Sequence, residues 1–133
     1  MKVKRLIIHT DGASLGNPGL AAIGATVKDE QGRLVARISR RIGQATNNQA
    51  EYRAIIAALE EATRLGAEEV DIRSDSQLIV NQISGRWRVK KPALKPLHQR
   101  VKQLVGSLEG FTITYILREQ NTEADKLAHL ALS

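Results

Sequence analysis

Leu6-Ile7-Ile8-His9-Thr10-Asp11-Gly12-Ala13-Ser14-Leu15-Gly16-Asn17-Pro18-Gly19 sets the architecture of this chain. Leu6 to Thr10 is an apolar run with a β-branched bias, short enough for a strand. Asn17-Pro18-Gly19 is a strong turn signal. Ala21 to Lys28 reads as a second strand, with Ile23 and Val27 as its main apolar residues. Gln31-Gly32 turns the chain, and Arg33 to Ile42 continues as a third strand. Three strands joined by short turns imply an antiparallel meander.

Beyond the meander the period changes. Ala54, Ile55, Ala58, Ala62 and Leu65 recur at helical spacing, and Gly66 supplies a stop. Thr46 with Gln49 three residues on has the pattern of a capping box at the start of that helix. Glu68 to Ser74 carries Val70 and Ile72 as a fourth strand, and a helix follows from near Ser76 to Gly85. Arg86 to Pro96 is irregular, basic and marked by proline. Leu97, Val101, Leu104, Val105 and Leu108 repeat as a helix, and Phe111, Ile113, Tyr115 and Leu117 alternate as a fifth strand. Thr122 with Asp125 is a second capping-box pattern, opening a last helix. A strand that follows a helical crossover lies parallel to an earlier strand through a right-handed connection. The expected fold is α/β: a mixed five-stranded sheet, three strands antiparallel plus two parallel, with helices on both faces.

The 133 residues fit one domain, 1–133, with no internal repeat, low-complexity tract or linker. Aromatics are 3%, so the core rests on Leu, Ile, Val and Ala. With no cysteine there is no disulfide, thiolate zinc site or cysteine nucleophile, which fits a reducing compartment. No apolar run approaches the roughly 20 residues of a membrane span. Met1 to Arg5 is basic, but Leu6 to Ile8 is too short for the core of a signal peptide. The expected location is the cytoplasm. A formal charge of +6 suggests a polyanionic partner.

Several acids stand where an ordinary core has none. Asp11 follows the first apolar strand and Asp75 follows the fourth. If those strands are parallel neighbours, their ends meet, and ligands of open α/β sheets gather at such ends. Each Asp by itself also suits a turn or a helix cap. Glu51 lies in line with Ile55, Ala58, Ala62 and Leu65 on one helix face, although an exposed acid at a helix start is equally consistent with the pattern. Asp125, read alone, is the reciprocal partner of a Thr122 cap. Glu119 and Glu123 read as solvated. Converging carboxylates without cysteine suit a hard cation such as Mg²⁺ or Mn²⁺. A pair of such ions serves phosphodiester chemistry, a natural match for a basic surface.

Asp11-Gly12-Ala13-Ser14-Leu15-Gly16-Asn17-Pro18-Gly19 closely resembles the first motif of the ribonuclease H type 1 family. Thr46-Asn47-Asn48-Gln49-Ala50-Glu51 is similar to the second, Ser74-Asp75-Ser76 to the third, and Asn121 to Ala128 to the fourth. The motifs occur in family order and span nearly the whole chain. The resemblance implies a nuclease that cuts the RNA strand of an RNA–DNA hybrid with two Mg²⁺ or Mn²⁺ ions, leaving 5′-phosphate and 3′-hydroxyl ends. It assigns metal binding to Asp11, Glu51, Asp75 and Asp125. Asp11 then bridges the two ions, Asp125 helps hold the one that activates water, and Glu51 and Asp75 the one on the leaving-group side. Asn17, Asn47 and Asn48 match positions near the RNA minor groove, where an amide can both donate to and accept from a 2′-hydroxyl. Thr46 matches a position that contacts a DNA-strand phosphate. Double-stranded RNA is a further candidate substrate, and a monomer is expected.

Two departures matter. The best-studied relatives carry a His on a loop after the fifth strand; here Arg118 stands near that place, a candidate to hold the scissile phosphate that cannot serve as a general base near neutrality. His9, His98 and His129 do not align with it and read as structural or surface residues. The long basic protrusion of many relatives is shortened to a stretch with Arg86, Arg88, Lys90, Lys91, Lys95, Arg100 and Lys102 and no acid. Trp87 in that stretch can pack on a DNA sugar or simply anchor the helix. No separate hybrid-binding domain is evident, so weak processivity is expected. Two alternatives compete: a non-catalytic hybrid or duplex-RNA binding module, and another nuclease of the same superfold. The Asn47-Asn48 pair argues against the latter, which needs no reader of a 2′-hydroxyl.

Overall fold

The computed structural model describes residues 4–133, so Met1 to Val3 of the basic start lie outside the described residues. Strands β1 (Arg5–Ser14), β2 (Gly19–Lys28) and β3 (Leu34–Ala45) form the expected antiparallel meander. Helix α1 (Asn47–Arg64) leads to β4 (Glu69–Ser74), which pairs parallel to β1. Helices α2 (Gln77–Ile83) and α3 (Lys95–Val105) lead to β5 (Gly110–Tyr115), parallel to β4. A short 3₁₀ turn, Arg118–Gln120, precedes α4 (Thr122–Leu132). The sheet order is β3-β2-β1-β4-β5.

Alternation along β1 separates the two faces. Leu6 and Ile8 point to one side with Ile23, Ala25 and Val27 of β2, and there meet Tyr52, Ile55, Ala58 and Leu59 of α1. Val101 and Leu104 of α3 extend the same core. Gly24 faces the opposite side, against the backbone of α4. Alanine dominates both contacts: Ala50, Ala54, Ala58 and Ala62 on α1, and Ala124 and Ala128 on α4, are buried. Small side chains bring helix axes close to the sheet, which compensates for a core nearly free of aromatic rings.

Local signals explain most boundaries. Both halves of the α1 capping box form: Gln49 N–H donates to Thr46 Oγ1 at 3.1 Å, and Thr46 N–H donates to Gln49 Oε1 at 2.8 Å. Gly66 ends that helix with φ +77°, a conformation glycine adopts without a Cβ clash. Several boundaries differ from expectation: β5 ends at Tyr115, before Leu117, and α3 ends at Val105, before Leu108. Asp11 lies inside β1 and not after it, because β2 goes on pairing as far as Ser14. Pro96 belongs to α3, in whose first turn a missing N–H costs nothing. Thr122 is the first residue of α4 and not its cap. Asn121 precedes the helix, without a side-chain cap bond, so the second capping box does not form.

Candidate active site

The last paired residues of the parallel β1–β4 ladder are Thr10 and Ser74. Asp11 and Asp75 each stand one residue beyond, so the two carboxylates leave the sheet side by side. Glu51 arrives from the second turn of α1. That approach requires Gly12: a Cβ there would lie 2.4 Å from the Ala50 carbonyl carbon and 2.5 Å from the Glu51 nitrogen. The Gly12 N–H donates to Glu51 Oε1 at 2.8 Å. Glu51 is therefore tied to the strand and is not the exposed acid of a helix start. One oxygen from each of Asp11, Glu51 and Asp75 falls in a group whose members all lie within 4.8 Å of one another. Asp125, from the first turn of α4, lines the same cleft of about 390 Å³, with Arg118, Asn47, Ser14 and His129.

The electrostatics of this group are strained. Burial pushes the Asp11 carboxyl up to about 8, helped by a hydrogen bond shared with Asp125 and by the charge of Asp75. Glu51 is raised well above its ordinary value by burial and then by the charges of Asp11 and Asp75. Asp75 is also raised, first by burial; a hydrogen bond from Asn121 and the Arg118 guanidinium oppose the shift. Carboxylates that hold one another's protons this way are discharged by a cation placed among them. The donor set is all oxygen, which suits a hard divalent ion.

The other singled-out residues continue from this cleft. Asn47 opens α1 and borders the acids, and its N–H donates to Asn17 Oδ1 at 3.0 Å. Asn17, Thr46, Asn48 and Lys91 share a neighbouring hollow of about 210 Å³. Asn48 also borders a larger groove of about 570 Å³ lined by Arg86, Trp87, Arg88, Lys90 and Lys91. Trp87 is 47% exposed. The structure thus brings the four acids, the amides and the basic stretch onto one continuous surface joined by the first turn of α1.

Two residues here carry more than the sequence disclosed. Asn121 is buried; its Nδ2 donates to the Thr10 carbonyl at 2.8 Å and it also bonds Asp75. In the sequence Asn121 is only the start of the fourth motif, and the tertiary arrangement alone turns it to β1. His129, an exposed helix residue by pattern, borders the acid cleft.

Comparison with known proteins agrees with this geometry. The family model described as Reverse transcriptase-like matches residues 9–131. A curated ribonuclease HI of Halobacterium salinarum is 43% identical over 96% of this chain, which spans 64% of that protein. The crystal structure of that organism's RNase H1 superposes with a TM-score of 0.94 at 43% identity, covering 96% of this chain and 97% of the other. A bifunctional protein of Mycobacterium tuberculosis is 42% identical over 96% of this chain, which spans 35% of its length. Its solved N-terminal RNase H domain gives a TM-score of 0.93 at 42% identity, covering 97% of this chain and 99% of that one. An RNase H1 isolated from compost, solved in complex with an RNA/DNA hybrid, gives 0.90 at 39% identity, covering 95% of each chain. Motifs, sheet order and these matches agree: the chain belongs to the ribonuclease H family, type 1.

Proposed function

We propose that this chain is an endonuclease that hydrolyses the RNA strand of RNA–DNA hybrids, leaving 5′-phosphate and 3′-hydroxyl ends. The observation that carries the reading is the group formed by Asp11, Glu51 and Asp75, with Asp125 in the same cleft. These four acids are the residues to hold two Mg²⁺ or Mn²⁺ ions. Such ions, when bound, activate water for in-line attack and stabilise the leaving oxygen. Asp11, on β1 and in contact with Asp125 of α4, would be a ligand common to both ions, a role supported by its position among the other acids. Arg118 offers its guanidinium to the phosphate at the cleft. Asn17, Asn47 and Asn48 read the 2′-hydroxyl and adjoining phosphates, and Thr46 receives the DNA strand. Lys90, Lys91, Arg88 and Trp87 hold the hybrid farther along. The reading places this work in the cytoplasm, in keeping with a chain free of cysteine.

The test is a gel assay with one end-labelled RNA strand paired with DNA, paired with RNA, or single. It is run with Mg²⁺, Mn²⁺ or EDTA. Internal cuts in the hybrid's RNA that need metal are expected. A folded protein that binds the hybrid and never cuts it is a binding module instead. Cutting of all-DNA junctions points to a different nuclease of the superfold.

Neutralising Lys90 and Lys91 together is expected to weaken hybrid binding and flatten its salt dependence by about one unit of slope per lost phosphate contact. Fluorescence anisotropy across a salt series reads the slope. An unchanged slope takes this groove out of the substrate path.

A further inference from the structure

The face of α4 that carries Asp125 holds a second polar group four residues on. His129 Nδ1 lies 3.2 Å from Asp125 Oδ1 and 2.9 Å from the Asp125 carbonyl oxygen. The carbonyl oxygen is an acceptor, so Nδ1 carries the hydrogen and donates to it, and the carboxylate oxygen sits beside the same N–H. The Asp125 carboxylate is therefore held between two neighbours, Asp11 on the cleft side and His129 along the helix. It is 34% exposed and His129 is 58% exposed, so water competes for both and the imidazole selects one rotamer of a carboxylate free to turn.

We infer that His129 is a positioning residue for the metal site: its imidazole, anchored by Nδ1–H on the Asp125 carbonyl and 3.2 Å from Oδ1, orients the Asp125 carboxylate toward the cleft where a cation would be held. The inference rests on the metal-binding reading above. It gives the site an imidazole from the last helix, where no loop His follows β5. Hydrogen bonds to ligating carboxylates orient them, and loss of such a partner costs about 10–100-fold in metal affinity or activity. An ordinary i,i+4 helix pair would instead affect only the melting temperature.

The discriminating measurement is Mn²⁺ binding by calorimetry on the nucleic-acid-free protein, for wild type, His129→Ala, His129→Asn and Asp125→Asn. Circular dichroism confirms that each is folded. His129→Ala is expected to weaken the Asp125-dependent ion about tenfold. His129→Asn keeps an amide donor near the place of Nδ1 and is expected to recover most of that loss. Wild-type Mn²⁺ affinity in His129→Ala, with binding lost in Asp125→Asn, overturns this inference and leaves the metal site standing. An Asn variant as weak as the Ala variant also overturns it. Unchanged binding in Asp125→Asn overturns the metal role of Asp125 and the inference with it.

Discussion

Asp11→Asn is expected to remove hybrid cleavage by at least about a thousandfold, the scale seen when one member of a catalytic unit is lost, while making the metal-free protein more stable. The two effects share a cause. Asp11 is surrounded by Asp125, Asp75 and Glu51, and its carboxyl is raised to about 8. An acid whose pKa is higher folded than unfolded binds its proton more tightly in the folded state. Its ionisation then opposes folding, with no penalty below the unfolded value near 3.8 and a penalty that grows as pH rises to about 8. The amide cannot ionise, so it removes that slope. Without metal above pH 8 the gain is about 1–2 kcal/mol, typical for relieving a strained functional site, or roughly 3–8 °C in melting temperature. Thermal melts in EDTA at pH 5 and pH 9 read it. Wild type falls between the two and the variant falls less. Added Mn²⁺ raises the wild-type midpoint by mass action and raises the variant's less. Identical pH dependence in the two proteins contradicts the strained-carboxylate account, and retained cleavage contradicts the role of Asp11.

Gly24→Ala is expected to be among the most damaging single-methyl changes in the chain. A Cβ at Gly24 would lie 2.2 Å from the Ala124 carbonyl oxygen and 2.5 Å from the Ala128 nitrogen. Both are backbone atoms of α4, so no side chain can swing away. The helix must lift, and Asp125 lifts with it. Overpacking of this kind costs about 3 kcal/mol or more, seen as a fall in the urea midpoint. Cleavage by the fraction that remains folded also falls, because Asp125 no longer meets Asp11. Gly32→Ala is the control. There a Cβ meets nothing, and the only penalty is φ +80°, about 1–2 kcal/mol. Equal stability of the Gly24 and Gly32 variants, with full activity in both, contradicts the close seating of α4.

Much of this was readable in one dimension. The strands of the meander, the helix from Thr46 to Gly66 and the parallel return of the last two strands follow from hydrophobic period and turn residues. Those signals are local and depend little on what packs around them. The four acids were nominated through motif resemblance more than through pattern, since Asp11, Asp75 and Asp125 each have an ordinary role at a strand end or helix start. Where boundaries slipped, a distant partner decided. β1 runs on to Ser14 because β2 pairs with it. Asn121 is turned from the helix it precedes to the Thr10 carbonyl.

The sequence by itself determined the order of the elements, the fold class and the absence of thiols, and motif resemblance nominated the four acids that the fold brings to one cleft. Tertiary structure alone decided that Asp11 and Asp75 leave adjacent strands in register, that glycines at 12 and 24 seat α1 and α4 against the sheet, and that His129 faces Asp125 beside the cleft. The division has a physical reason. Helix and strand formation depends on neighbours a few residues away. A carboxylate's ionisation depends on what lies within a few ångströms in space, and Asp11 and Asp125 stand more than a hundred residues apart along the chain.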